Sequence, residues 1–555
     1  MNPSCFRKLG PSIALVVAIL SPAAISQADA PMPNPEFPDN NPLLPEQDTL
    51  GKFLFWEEQM SHDNTMSCGT CHIHENGGSD PRSNVATHPG PDNVFGTDDD
   101  INASPGVRLI DFSTNTLLTS GAHGSAPQST DRKSPPTVNA GLFTEVFWDG
   151  RAGQVFTDPQ TGLVEIAYGG ALESQAVGPP LSDVEMSAGG RTWDDVVAKL
   201  AVVTPMALAE DIPVEMQDFM SANPTYGDMF EAVYGTPEIT SKRVAFAIAN
   251  YERTLVSDGS PLDDFLKGVT PDLGPFQAGF DLFQGSANCA ACHVMPRTMD
   301  DDFHNLAVRP DAEDMGRMNH TGDPLDIAKF KTPMVRNAAL RVPLMHNGSI
   351  DTITDLIEFY NDGGGDFNEG NLDPNIVPLS LTDQEKQDLI DFIEVGMTDS
   401  RLVNNVHPFT RPTLRSELAP LNVNYGVASM NGSGGFASIY TNGPANRGNE
   451  NFVIGLADAG GGLPAQLMLS FVQDLSGAPY PDPRYDVNIN IGVGALFLKF
   501  PTVTSAGGQA SFNLPIPGDA ILAGFEFYGQ WFVADVASPL LGDIFGTDGL
   551  KIQIL

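Results

Sequence analysis

"GSANCAACHVMP", residues 285–296, repeats a pattern already present in "TMSCGTCHIHENGG", residues 65–78: each contains Cys-x-x-Cys-His. The chain has 555 residues but only five cysteines, Cys5, Cys68, Cys71, Cys289 and Cys292, and four of them lie in these two motifs. The repeat is therefore not a by-product of a cysteine-rich composition. Cys5 sits in a segment laid out like a secretory signal peptide. Arg7 and Lys8 precede an apolar run, Ile13 to Leu20, followed by small residues in "SPAAISQADA". Cleavage after Ala28 fits the small-x-small rule. The apolar run is too short to span a bilayer, and no later stretch reaches the roughly 20 apolar residues that a membrane helix needs. The sequence predicts a protein exported to the periplasm or secreted, and not membrane-spanning.

Exported proteins with spare cysteines usually pair them as structural disulfides, and here none is spare. Two cysteines separated by two residues can both reach one porphyrin edge as thioethers, with the adjacent histidine falling under the iron. Cys68, Cys71 and His72 are thus read as holding one haem c, and Cys289, Cys292 and His293 a second. A thioredoxin-like dithiol leaves the histidine after each pair unexplained. A zinc site would usually draw both pairs into one compact module. Motifs 221 residues apart predict two separate haem domains.

The net charge of −41 argues against a nucleic-acid partner, because phosphates would be repelled. A well-solvated surface is the plain reading; steering of a basic redox partner is a second one. After the signal peptide (1–28), the reading places an N-terminal haem domain at 29–236 and a C-terminal haem domain at 237–414. The N-terminal domain carries a loop insert near 89–130, where "DNVFGTDDDINA" lacks full EF-hand spacing and reads as solvated loop. In the second domain "SKRVAFAIANYERTLV" has helical periodicity, and "LTDQEKQDLIDFIEV" opens with a Thr382/Glu385 capping box. From 415 to 555 short β-favouring runs between Gly, Pro and Asn clusters predict a β-sandwich-like domain. That tail has no cysteine or histidine, so packing, substrate presentation or partner binding are its expected uses. The expected fold class is mainly α, two cytochrome c-like domains followed by an all-β domain.

Further motifs occur in order: "LGKFLFWEEQMS" (50–61), "SCGTCHIHENGGSD" (67–80), "RKSPPTVNAGLF" (132–143), "VFWDGRA" (146–152), "LESQAVGPPLSDVEM" (172–186), "FKTPMVRNAALRVPLMHNGS" (330–349) and "MTDSRLVNNVHPF" (397–409). With these, the chain from about 48 to 413 resembles the bacterial di-haem cytochrome c peroxidase/MauG family. The resemblance implies two α-helical cytochrome c-like domains with one haem each. It makes Trp148 the aromatic bridge between the haems. It makes Glu185, ten residues after Gln175, the acid–base that moves a proton between the two oxygens of hydrogen peroxide at the first haem, with Gln175 assisting. Glu215, in "IPVEMQDFM", lacks an upstream glutamine and is read as a decoy. His88, 16 residues after His72, corresponds to a histidine that caps the first iron in resting peroxidases; the alternative is a loop histidine. His74 is expected to be exposed.

Two departures from the family pattern bear on chemistry. Where peroxidases place a methionine ligand to the second iron, 14 residues past the histidine of "HNGS", this chain has Tyr360, the MauG-like choice. An oxygen ligand favours ferric and higher states, whereas methionine raises the potential. Tyr360 also completes an apolar stripe with Ile353, Leu356 and Ile357, so a core role stays open, as does ligation by Met334 or Met345. Family members hold calcium with an asparagine where Lys133 stands here; Pro343 is kept, but a cation does not bind a cation, and calcium is doubtful.

The reading is of a di-haem peroxidase or MauG-like oxidoreductase. Its electrons would come from a small cytochrome or blue-copper protein, or from an organic or protein substrate. The alternative is a non-catalytic electron-transfer protein with both irons six-coordinate. Homodimerisation is left open.

Overall fold

A computed structural model describes residues 30–83, 87–114 and 116–418, and in the tail 423–425, 428, 436–446, 449, 452–474, 490–491, 496–517, 522, 524–535 and 543–555. The signal-peptide reading and Cys5 fall outside the described residues.

Two helical cores form up to residue 414. In the first, the helix Gln47–Trp56 lies along the helix Ser241–Thr254, burying Leu50, Phe53 and Trp56 against Val244, Ile248 and Tyr251. The contact is close because Gly51 has no side chain: a Cβ there would overlap the carbonyl of Ala247. Phe409 and Leu414 close this core from the end of the helical region. The helix Ser241–Thr254, assigned from sequence to the second haem domain, therefore packs in the first, and that unit runs past 236. Its apolar stripe predicted a helix correctly but carried no record of which core it would enter. The second core joins the helices Gln277–Gln284, Ile353–Asp362 and Asp383–Asp391 through Phe283, Ile357, Leu389 and Phe392. The expected Thr382/Glu385 capping box is formed.

The two halves share a local design. Residues 132–150 and 330–348 share backbone features at positions offset by 198. Each has a left-handed asparagine (Asn139, φ 66°; Asn337, φ 60°), a 3-10 turn, and a left-handed residue before the central ring (Phe147, φ 69°; Met345, φ 72°). Trp148 in the first stretch matches His346 in the second. The stretches meet reciprocally: Lys133 N–H donates to His346 O and Lys331 N–H to Trp148 O, both at 2.8 Å. This exchange fixes Trp148 at the junction of the halves.

The tail is sheet-rich, as expected. A three-stranded antiparallel sheet (Ser438–Thr441, Val453–Ala457, Ala510–Asn513) and a six-stranded one built around Pro464–Ser470 and Glu526–Asp535 share a core of Ile454, Leu467, Trp531 and Ile552. In the insert, the strands Pro105–Arg108 and Pro127–Ser129 pair, as do Ile110–Asp111 and Thr116–Leu117. The insert near 89–130, expected to be a loop, is thus partly a small β layer, with Val107, Ile110 and Leu117 buried. The acidic stretch at 92–100 remains turn and loop. Among the described residues no helix is long and apolar enough to cross a membrane.

Candidate functional site

Two cavities lie on either side of Trp148. The first, about 260 Å³, is lined by Cys68, Cys71, His72, Trp148, Gln175, Glu185, Arg151 and Glu252. The second, about 170 Å³, is lined by Cys289, Cys292, His293, Trp148, His304, Met334, Met345 and Tyr360. Each Cys-x-x-Cys-His motif therefore owns one cavity, and Trp148 borders both.

Both motifs present their residues in the same way. The cysteines stand on a single helical turn, Cys68–Cys71 after the capping box of Ser67 and Thr70, and Cys289–Ala291 after the left-handed Asn288. All four thiols are free. Burial pushes the Cys71 and Cys289 thiols up to about 12, so neither is set up as a reactive thiolate. His72 Nδ1 contacts Gly78 O and His293 Nδ1 contacts Thr298 O, each at 3.0 Å. Such a bond fixes the ring and leaves Nε2 for a metal. Burial also lowers the protonation range of both rings, favouring the neutral imidazole that a metal requires. Paired free thiols, an oriented neutral imidazole and a largely apolar cavity fit haem c in both places.

The side chains around the two cavities differ. In the first, Gln175 comes from the helix Ala171–Ala176 and Glu185 from the turn that follows. Burial raises Glu185 above the ordinary carboxyl range, against the Ser182 hydrogen bond and the charge of Arg151. That helix is held to the first core by a buried pair: Arg253 donates to both Glu173 oxygens, at 2.7 and 3.0 Å. In the second cavity Tyr360 projects from the helix Ile353–Asp362, and no described residue hydrogen-bonds its hydroxyl. Burial raises its phenol further. Met334 and Met345 line the same cavity. Trp148 Nε1 donates to Lys133 O at 2.7 Å, which pins the indole between the cavities. The Lys133 ammonium itself donates to Ser83 Oγ at 2.8 Å.

Three sequence-predicted positions lie elsewhere. His88 does not line the first cavity; its Nδ1 accepts from Gly90 N–H and its ring faces His123, with centroids 5.9 Å apart. His74, expected to be exposed, is fully buried, its Nδ1 against Phe409 O at 2.8 Å and its ring against Trp56. The turn that follows His72 directs it inward, which the motif alone does not reveal. Glu215, read as a decoy, is half-exposed and pairs with the buried Lys52 ammonium at 2.7 Å.

Two cavity residues escaped the sequence reading. Glu252 is buried on the helix Ser241–Thr254, has an Oε2 without a hydrogen-bond partner, and is raised by burial to about 8. His304 sits between Asp300 (2.9 Å) and Asp373 (2.6 Å); these bonds, Asp300 foremost, and Cys292 push it up to about 11. Neither lies in a motif, and a lone Glu or His gave no signal.

Residues 45–270 match the family model for di-haem cytochrome c peroxidase. The chain is 28% identical over 361 residues to the methylamine utilization protein MauG of Methylorubrum extorquens, covering 64% of this chain and 80% of that one. It is 26% identical over 444 residues to the cytochrome-c peroxidase IdrP1 of Pseudomonas sp. strain SCT, covering 73% and 95%. A crystal structure of a MauG-like protein associated with microbial copper homeostasis aligns with 25% identity and a TM-score of 0.49, covering 68% of this chain and 96% of that one. The chain thus carries the di-haem cytochrome c peroxidase family model over residues 45–270, and its relatives include MauG and cytochrome-c peroxidase proteins.

Proposed function

We propose that this chain is an exported di-haem oxidoreductase with two cytochrome c-like haem domains. It reduces hydrogen peroxide in the first cavity and draws the electrons through the second. The observation that carries this reading is the division of labour around Trp148: proton-handling side chains line one cavity, and Tyr360 lines the other. Haem c, held by Cys68, Cys71 and His72 and again by Cys289, Cys292 and His293, supplies the redox-active iron when bound.

The protein's own part follows from its side chains. Glu185 takes a proton from one peroxide oxygen and returns it to the other, so that the O–O bond breaks with water as the leaving group. A carboxyl held above its ordinary range suits both halves of that transfer. Gln175, in the same cavity, positions peroxide with its amide. Trp148 carries electrons from the second cavity to the first. Tyr360 offers the second iron an oxygen ligand, which makes the protein MauG-like and directs the oxidising equivalents to an organic or protein donor. Its hydroxyl, free of hydrogen bonds from the described residues, supports that ligand over Met334 and Met345, which line the same cavity. His88 lies away from the cavity lining, so a haem held there by Cys68, Cys71 and His72 would draw no second ligand from it, which favours the enzyme over the six-coordinate electron carrier.

Peroxide-dependent oxidation of a chromogenic donor by the purified holoprotein tests this reading, beside Glu185→Gln and a mass measurement of attached porphyrin. Two porphyrins per chain and a loss of about 10²- to 10⁴-fold in the variant are expected. Fewer than two porphyrins, or an unaltered variant, would overturn it.

A further inference from the structure

We propose that the insert and the β-rich tail form a clamp that sets the position of Glu185 in the first cavity, with Gly106 and Tyr440 as its positioning residues. The proposal rests on the acid–base reading of Glu185.

Glu185 does not stand on a helix or strand. It lies in an irregular turn closed by Ser182 O, which accepts the N–H groups of Glu185 (3.2 Å), Met186 (3.0 Å) and Ser187 (2.8 Å). One small turn is a weak frame for a group that must hold its place to about 0.5 Å. The turn is fastened from outside instead. Gly106, in the insert strand Pro105–Arg108, lies so close to it that a Cβ would overlap Val184 O and stand 3.1 Å from Glu185 Cα. Further on, Gly189 N–H donates to Ile110 O (2.9 Å) and Phe112 N–H to Gly189 O (3.1 Å). From the opposite side, His62 N–H donates to Met186 O at 2.8 Å.

The tail backs both supports. Ile110, Leu117 and Ala188 pack in one cluster with Tyr440 and Ala457 of the three-stranded sheet. Tyr440 lies flat over Gly455, where a Cβ would overlap its ring, and the Arg108 guanidinium sits 5.0 Å from the ring centroid. Gly443 abuts the carbonyl of Asp63, the residue after His62, and Asn64 donates to Asn446 Oδ1 at 3.0 Å. The tail thus braces, through two contacts, the turn that bears Glu185.

The test uses the full-length holoprotein. Gly106→Ala forces the turn to shift, and Tyr440→Ala removes the outer brace without adding volume. Each is made alone and combined with Glu185→Gln, with haem loading and thermal unfolding measured on all. A displacement near 1 Å at a reacting group costs about 10²-fold, so Gly106→Ala is expected to lower peroxide kcat/KM by about 10- to 100-fold. Its pH profile should also move on the limb that Glu185→Gln abolishes. In the Glu185→Gln background neither clamp variant should cost anything further. Equal losses in both backgrounds, or full activity in a folded Gly106→Ala, would overturn the clamp. Where Gly106→Ala loses haem, Tyr440→Ala decides on the same criterion. Full activity in Glu185→Gln alone overturns the acid–base reading, and the clamp with it; that result is distinct from additive losses, which spare the acid–base reading.

Discussion

Glu252 offers a quantitative test of how the first cavity is built. Its carboxyl is fully enclosed, has an oxygen without a partner, and is raised from the ordinary 4.5 to about 8, with burial the largest cause. The sign follows from linkage. Between these values the folded protein keeps a proton that the unfolded chain has released, so stability falls as pH rises through that window and is flat above it. One pH unit corresponds to about 1.4 kcal/mol. Across the window from 4.5 to about 8 the loss attributable to Glu252 is therefore about 5 kcal/mol. Glu252→Gln keeps the shape and removes the titration. Urea unfolding of the holoprotein and the variant, followed by haem absorbance at pH 5, 6, 7 and 7.5, measures the difference directly. The stability of the native protein relative to the variant should fall by about 1.4 kcal/mol per pH unit. Other buried carboxyls, such as Glu58, raised by burial to about 7, titrate in both proteins and cancel. A difference that stays level across this range would refute the claim that Glu252 is buried protonated in the folded state.

Three further outcomes follow from the same geometry. Tyr360→Met should raise the reduction potential of the second haem and change its EPR or resonance Raman signature; unchanged ligation would rule out the tyrosine. Glu173→Ala leaves the Arg253 guanidinium buried without its carboxylate and should cost about 3–5 kcal/mol by urea unfolding; a loss below about 1 kcal/mol would match an exposed pair instead. Gly279→Ala places a Cβ against the Asp388 carbonyl, between the helices Gln277–Gln284 and Asp383–Asp391, and should destabilise the second core by about 1–3 kcal/mol in a thermal melt.

Much of the site is legible in the amino-acid sequence. The twin motifs identify six cavity residues because each Cys-x-x-Cys-His pattern places them as neighbours in sequence. Trp148, Gln175, Glu185 and Tyr360 are named through family register; Gln175 and Glu185 line the first cavity, Tyr360 the second and Trp148 both. Position relative to a motif does not suffice for His74 or His88. Whether a histidine a few residues from a haem motif faces the cavity, the core or a loop depends on turns whose direction a spacing rule does not encode.

Local chemistry by itself determined the two Cys-x-x-Cys-His turns, the helical stripes, the caps and the β character of the tail, because each depends on residues within a few positions of one another. Tertiary packing alone decided that the helix Ser241–Thr254 joins the first core and brings Glu252 into the first cavity. It also decided that the two repeated stretches exchange backbone hydrogen bonds around Trp148, and that residues 106, 189 and 440 converge behind Glu185. These contacts span tens to hundreds of residues. A buried polar group declares itself only when the surfaces that exclude water from it have closed.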